Sequence, residues 1–219
     1  REALGRLPEG PAKQAGIAVG EKAAAAVLAA RAEDGATAPD AYRPATTAGR
    51  YVPTVLPILP HWGRRKPGIL ASGDQLHPPP PPDLGSGVWI RDFNEVKALG
   101  AKSGSRRTAE QDAIARFWEA TGPLIYWPVA RSVAAAPGRD LSDNARLLAL
   151  AAMAMDDAMI AVFEAKYAYN FWRPITAIRN GDLDGSDATE RDPGWTPLID
   201  TPMHPEYPSH AAILAASGT

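Results

Sequence analysis

A lysine and an arginine stand seven residues apart in the segment KYAYNFWRP, at Lys166 and Arg173. Seven residues is close to two turns of an α-helix, so a continuous helix through this segment puts both cations on nearly one face. The stretch from Ala145 to Trp172 contains no proline or glycine, and Pro174 is the first breaker. A helix ending before Pro174 is therefore expected to carry both residues. A buried cation needs a partner. Glu164 points to another face, and Asp156 and Asp157 lie two turns or more upstream, in reach of Arg131 or Arg146. Either each cation finds its own carboxylate or reaches the surface, or one anion sits between the two.

A second segment, HPEYPSHAA, offers what such an anion needs. Pro208 is followed by Ser209 at a plausible helix N-cap and by His210 in the first turn. A helix N-terminus presents backbone N–H groups and the positive end of a dipole. Ser209 adds a hydroxyl donor, and His210 a group that gains or loses a proton near neutral pH. Read alone, this is a helix cap with a surface histidine. With the lysine and arginine it is the donor set for a tetrahedral oxyanion, whose chemistry depends on positioning and charge stabilisation.

The pattern K-x6-R-P followed by P-S-H at a helix start resembles the superfamily of vanadium-dependent haloperoxidases and type 2 phosphatidic acid phosphatases. The likeness is closest to bacterial haloperoxidase-like members, over about Arg106 to Ser209 and including FWRPITAIR and TPMHPEYPS. The resemblance implies an α-helical bundle whose site binds vanadate, or phosphate, through Lys166, Arg173 and Ser209, with His210 moving protons. Phe163, one turn before Lys166, and His204 are pocket-wall candidates, with core packing as the plainer role for Phe163. The family's second motif reads P-S-G-H, whereas this chain reads Pro208-Ser209-His210-Ala211. Either the glycine is missing and His210 is the motif histidine, or His210 takes the glycine position. A third motif, with a second arginine and the histidine that ligates vanadate or attacks phosphorus, is expected beyond Thr219, so no metal ligand is expected within this chain. The implied activity is halide oxidation by peroxide. The alternatives are a phosphatase acting on phosphate esters through the same pocket, and a non-catalytic binding or scaffold protein. An exported location follows from the resemblance alone.

The rest of the sequence must position these residues. The chain has 219 residues, 45% hydrophobic and 22% charged, values of an ordinary globular protein. A formal charge of −2 gives no field for nucleic acid or an anionic membrane. The absence of cysteine excludes disulfides and thiolate chemistry. No apolar run reaches the ~18 residues of a membrane span. Helical patterns run over Pro11 to Ala32, Ser86 to Ala101, Thr108 to Gly122, Pro123 to Gly138 with a bend at Pro128, Ser142 to Trp172, and from about Ser209. In the second of these the spaced residues are Val88, Ile90, Phe93, Val96 and Leu99. Thr108 and Gln111 have the spacing of a capping box. Residues 40–87 hold many of the 22 prolines, and Pro78 to Pro82 reads as a stiff extended connector. DLDGSDATERD lacks glycine at the sixth position of a calcium loop and reads as a solvated turn. Together these predict one all-α domain over residues 1–219, a helical bundle with long proline-rich connections, truncated at both ends. Oligomeric state is left open.

Overall fold

The computed structural model describes residues 2–119 and 125–217. Among the described residues the regular structure is helical, joined by two isolated antiparallel bridges, Arg50 with Phe171 and Ala101 with Pro197. The helices are α1 (Glu2–Gly5), α2 (Pro11–Ala30), α3 (Gly87–Leu99), α4 (Ala109–Phe117), α5 (Trp127–Ala134), α6 (Leu141–Tyr169), α7 (Pro174–Arg179) and α8 (His210–Ser217). A short 3-10 turn spans Trp62–Arg64.

α6 is the axis of the fold. The Asp140 side chain accepts the Asp143 N–H at 2.8 Å and starts it. Its first half lies near the surface, with Leu141 87% exposed. Its second half is enclosed, with Val162, Phe163, Ala165 and Lys166 each 2% exposed or less. α5, α8 and the 3-10 turn pack along it. Gly63 in that turn lies so close that an added Cβ would stand 2.3 Å from the Glu164 Cα.

The proline-rich half of the chain is fastened to α6 by charge. Arg65 donates to Asp34 at 2.5 Å and to Asp156 at 2.8 Å, and Arg31 pairs with both carboxylates. The buried Asp157 carboxylate accepts the backbone N–H groups of Gly68, Ile69 and Leu70 at 2.5–2.8 Å. The partners expected for these two aspartates, Arg131 and Arg146, are thus replaced by residues about 90 or more positions away in sequence, which local spacing cannot reveal. Glu164 faces His77, with 3.0 Å between Oε2 and Nε2, and the His77 ring stacks on Tyr169 at 4.9 Å. The Pro78 and Pro79 carbonyls accept from the hydroxyls of Tyr169 and Tyr207, which lays the proline run along the end of α6.

Several helices depart from expectation. In α3 the buried residues are Trp89 and Phe93, while Val88 is 46% exposed. The aromatic pair faces a core of Trp172, Ala177, Ile178 and Trp195, where burial of large rings outweighs the aliphatic spacing. In α4 both halves of the Thr108–Gln111 capping box form. The helix ends at Phe117, and the expected terminus at Gly122 lies outside the described residues. Pro128 opens α5 instead of bending it, because the first turn needs no proline N–H. The acidic turn is not simply solvated. Asp184 is buried and accepts the Trp89 indole N–H at 2.7 Å and the Thr189 hydroxyl at 2.8 Å.

The largest correction concerns Lys166 and Arg173, which do not share a helix. α6 stops at Tyr169, and Asn170 caps it in the left-handed region at φ 50°, its N–H bonded to the Lys166 carbonyl. Asn tolerates that conformation better than most residues. The next residues bridge an irregular strand instead of continuing the helix. The Tyr51 N–H donates to the Asn170 carbonyl at 2.8 Å, and the Trp172 N–H to the Gly49 carbonyl at 3.0 Å. Arg173 is extended at φ −84° and ψ 155°, as a residue before proline must be, and precedes α7. The two cations are brought together by a turn in the chain, not by helical periodicity.

Candidate oxyanion site

Lys166 comes from the most enclosed turn of α6 and is 1% exposed. Its Nζ donates to the backbone carbonyls of Pro205 and Glu206, both at 2.9 Å. An ammonium has three donors; two are committed, so one is left among the described residues. Burial is the main cause that lowers the lysine pKa to about 7; Glu206 partly offsets it, and Arg173 adds to it.

Arg173 is 7% exposed. Its backbone is held by its neighbour Trp172, 2% exposed and stacked on Trp89 at 5.6 Å. Nε donates to the His204 carbonyl at 2.7 Å, Nη1 to Glu206 Oε2 at 2.6 Å, and Nη2 points at His204 Nδ1 at 2.9 Å. Both cations thus grip one segment, His204-Pro205-Glu206, which sequence spacing alone assigns to neither. Of the three, sequence reasoning picked His204 and missed Glu206. The available signal was an acidic residue three positions before Ser209, in a chain that needed a counter-charge for two cations.

The remaining candidates lie around this knot. The His204 ring is buried and packs edge-on against Phe163 at 5.5 Å. Burial first, then Arg173 and Lys166, push its pKa down to about 3, so the ring is neutral. Arg173 can only donate, so a ring nitrogen of His204 accepts. His210 opens α8, half-buried, with its ring edge-on to that of His204 at 5.1 Å. Burial, Lys166 and Arg173 lower its pKa as well. Ser209 is exposed at the start of α8, where its Oγ accepts the Ala212 N–H at 3.3 Å and keeps its own hydrogen to donate. The structure therefore gathers Lys166, Arg173, His204, Phe163 and His210 into one cluster, whereas Ser209 precedes His210 at the start of α8 and among the described residues bonds neither cation. A cavity of about 290 Å³ opens beside Arg173 and Glu206, walled mainly by apolar groups including Val96, Leu99, Ile175 and Leu198.

Chemically this is a cluster of buried donors with few negative partners. Among the described residues one carboxylate, Glu206, is bonded to either cation, and the lysine is held by neutral carbonyls. The imidazoles of His204 and His210 stand beside them, both with pKa values lowered by burial and by the two cations. The donors left in and beside the cluster are the third ammonium N–H, the remaining guanidinium N–H groups, the Ser209 hydroxyl and the N–H groups of the first turn of α8.

Comparison with known proteins places the fold among helical haloperoxidase-like proteins. Residues 146–219, which include α6 from Arg146, α7 and α8, match the VCPO second helical-bundle domain. The vanadium chloroperoxidase of Curvularia inaequalis is 28% identical over 141 residues, covering 54% of this chain and 22% of that protein. A crystal structure described as the first bacterial vanadium-dependent iodoperoxidase superposes with a TM-score of 0.60 at 28% identity. The match covers 82% of this chain and 45% of that one. The chain therefore spans less than half the length of either relative.

Proposed function

We propose, from the premise that this chain belongs to the vanadium haloperoxidase-like superfamily, that its Lys166–Arg173 cluster binds vanadate and supports halide oxidation by peroxide. The observation that carries the reading is that two buried cations, from two different elements, grip one segment, Arg173 through the Glu206 carboxylate and Lys166 through backbone carbonyls alone. Burying charge without compensation is costly, so such a cluster is kept for a ligand that completes it.

The residues present fit a tetrahedral oxyanion. Arg173 offers a planar edge of donors and Lys166 a point donor, while Ser209 and the α8 N-terminus supply neutral ones. Vanadate, when bound, supplies the Lewis-acidic centre that activates peroxide toward a halide. The protein's part is binding and proton management. An entering anion favours the charged form of Lys166, reversing the cost imposed by burial. Arg173, fixed by His204 and Glu206, sets the anion's orientation. The His210 imidazole, neutral at the start of α8, accepts a proton at a ring nitrogen and returns it. Phe163 and His204 close the inner wall against water.

Arg173→Lys tests the assignment, because it keeps the charge and removes the planar fork. Vanadate or phosphate affinity is expected to fall by about 10- to 150-fold, the loss of one charge-assisted bond. Saturating anion should raise the melting temperature of the wild type more than that of the variant, since ligand binds the folded state. Bromide oxidation by peroxide that requires vanadate establishes the haloperoxidase. Phosphate-ester hydrolysis blocked by vanadate reassigns the pocket to a phosphatase. If neither anion shifts the wild-type melting temperature, the cluster is structural and the oxyanion reading is rejected.

A further inference from the structure

Glu206 is the carboxylate that meets the cation pair, and its position suggests more than support. Its Oε2 lies 2.6 Å from Arg173 Nη1, its backbone carbonyl accepts from Lys166, and its side chain is 39% exposed. It therefore stands at the mouth of the cluster, between the buried charges and solvent. The groups around it are few. Lys166 faces it from α6 and Arg173 from the start of α7, while the neutral rings of His204 and His210 lie on its own segment and on α8. Asp92 of α3 shares the wall of one cavity with it, and Arg107 and Asp200 share another. Arg107 is committed to Asp112 and to the Leu99 and Ala101 carbonyls, so it adds little to the field at the mouth.

The charges can then be summed. With Lys166 protonated, lysine and arginine contribute two positive charges and Glu206 one negative, leaving one. With Lys166 neutral the sum is zero. In either state the field felt by an incoming anion is one unit less positive than it would be without the carboxylate. That unit acts in proportion to the anion's own charge, so it penalises a doubly charged ligand twice as much as a singly charged one. We infer that Glu206 is a specificity-determining residue of the oxyanion site: its carboxylate cancels one positive charge and tunes the pocket to singly charged tetrahedral oxyanions over doubly charged ones. The inference rests on the oxyanion reading of the cluster and adds which charge state of ligand it prefers.

The test compares perrhenate and molybdate, tetrahedral oxyanions of similar size carrying one and two negative charges. Their affinities for the full chain are measured by calorimetry and by melting-temperature shift at one pH. Glu206→Gln keeps an acceptor oxygen for Arg173 Nη1 and removes the negative charge, and with it the support that charge gives to protonated Lys166, so the affinities are read below pH 7, where the ammonium form is favoured. In that variant the molybdate-to-perrhenate affinity ratio should rise about tenfold, as one unit charge a few ångströms away in a half-exposed site implies. Glu206→Ala should show a ratio change in the same direction even where overall affinity or stability falls, since the charge is gone in both. Asp92→Asn removes a carboxylate that bonds neither cation and should move the ratio far less. A ratio that stays constant or falls in both Glu206 variants overturns the inference while leaving the oxyanion site standing. A wild type that binds neither probe, nor phosphate, rejects the site itself, and the inference with it.

Discussion

Gly63→Ala is expected to lower the melting temperature by roughly 6–12 °C, the equivalent of about 3 kcal/mol for a chain of this size. The cause is local and steric. The new Cβ would lie 2.3 Å from the Glu164 Cα, 2.5 Å from its backbone nitrogen and 2.6 Å from its Cβ. Two of those atoms belong to the helix backbone, which cannot turn aside as the end of a side chain can. The Trp62–Arg64 turn must therefore lift from α6. Lifting it strains the Arg65 bonds to Asp34 and Asp156 and the Asp157 cap on residues 68–70, so one methyl group disturbs several contacts. Gly63 does not have a positive φ, so backbone conformation plays no part in the loss. Gly16→Ala, in α2 with nothing within 4 Å of the new Cβ, is the control. It should be neutral or stabilising by about 0.5–1 kcal/mol through helix propensity. Thermal denaturation of both variants decides the matter, and equal melting temperatures would show that the turn does not pack on α6 as described.

The stability of the protein should rise between pH 7 and pH 9, and Lys166→Met should abolish most of that rise. Lys166 has a pKa of about 7 when folded, against 10.5 for an ordinary lysine, chiefly because burial penalises its charge. Below pH 7 both folded and unfolded states hold the proton, and the cost of burying the ammonium is fully present. Above pH 7 the folded state releases the proton while the unfolded state keeps it, so the unfolded state binds more protons and stability grows with pH. Two pH units at 1.36 kcal/mol each set an upper bound of about 2.7 kcal/mol over this interval. The gain is best measured below pH 9, because Tyr42, Tyr51 and Tyr207 have pKa values raised by burial. Those phenols ionise more readily once unfolded and pull stability down in stronger base. Methionine keeps the length and apolar body of the side chain without a titrating group, though it leaves the Pro205 and Glu206 carbonyls without their donor. The slope with pH, and not the baseline stability, is therefore the readout. Urea denaturation at pH 7, 8 and 9 gives that slope. A flat wild-type profile, or a variant that keeps the rise, would mean that Lys166 is not buried as described. Saturating vanadate or phosphate should also flatten the wild-type profile, because a bound anion restores the charged lysine.

Much of this protein could be read from its residues in order. The proline start of α2, the Thr108–Gln111 box of α4 and the helix beginning after Ser209 are set by contacts within one turn, and local sequence determines such contacts. The donor types of the site were legible for the same kind of reason. A lysine and an arginine in an apolar stretch, and a serine and histidine at a helix start, have chemistry that depends on what they are. Other features depended on partners far away in sequence. Nothing in the apolar run to Trp172 announces that α6 ends at Asn170, because that ending is secured by backbone bonds to Gly49 and Tyr51. The buried face of α3 was decided by Trp172 and Trp195, and the burial of Asp184 by the Trp89 indole.

Sequence by itself therefore determined the helical class and the chemical kit, since propensity, capping and donor type are properties of residues and their near neighbours. Tertiary structure alone decided the geometry of that kit. It ended α6 between Lys166 and Arg173, turned both toward the His204-Pro205-Glu206 segment and paired the Glu206 carboxylate with Arg173. The physical reason is range: hydrogen bonds and burial act wherever the folded chain brings groups together, and the spacing of letters records only those contacts that lie within a few residues.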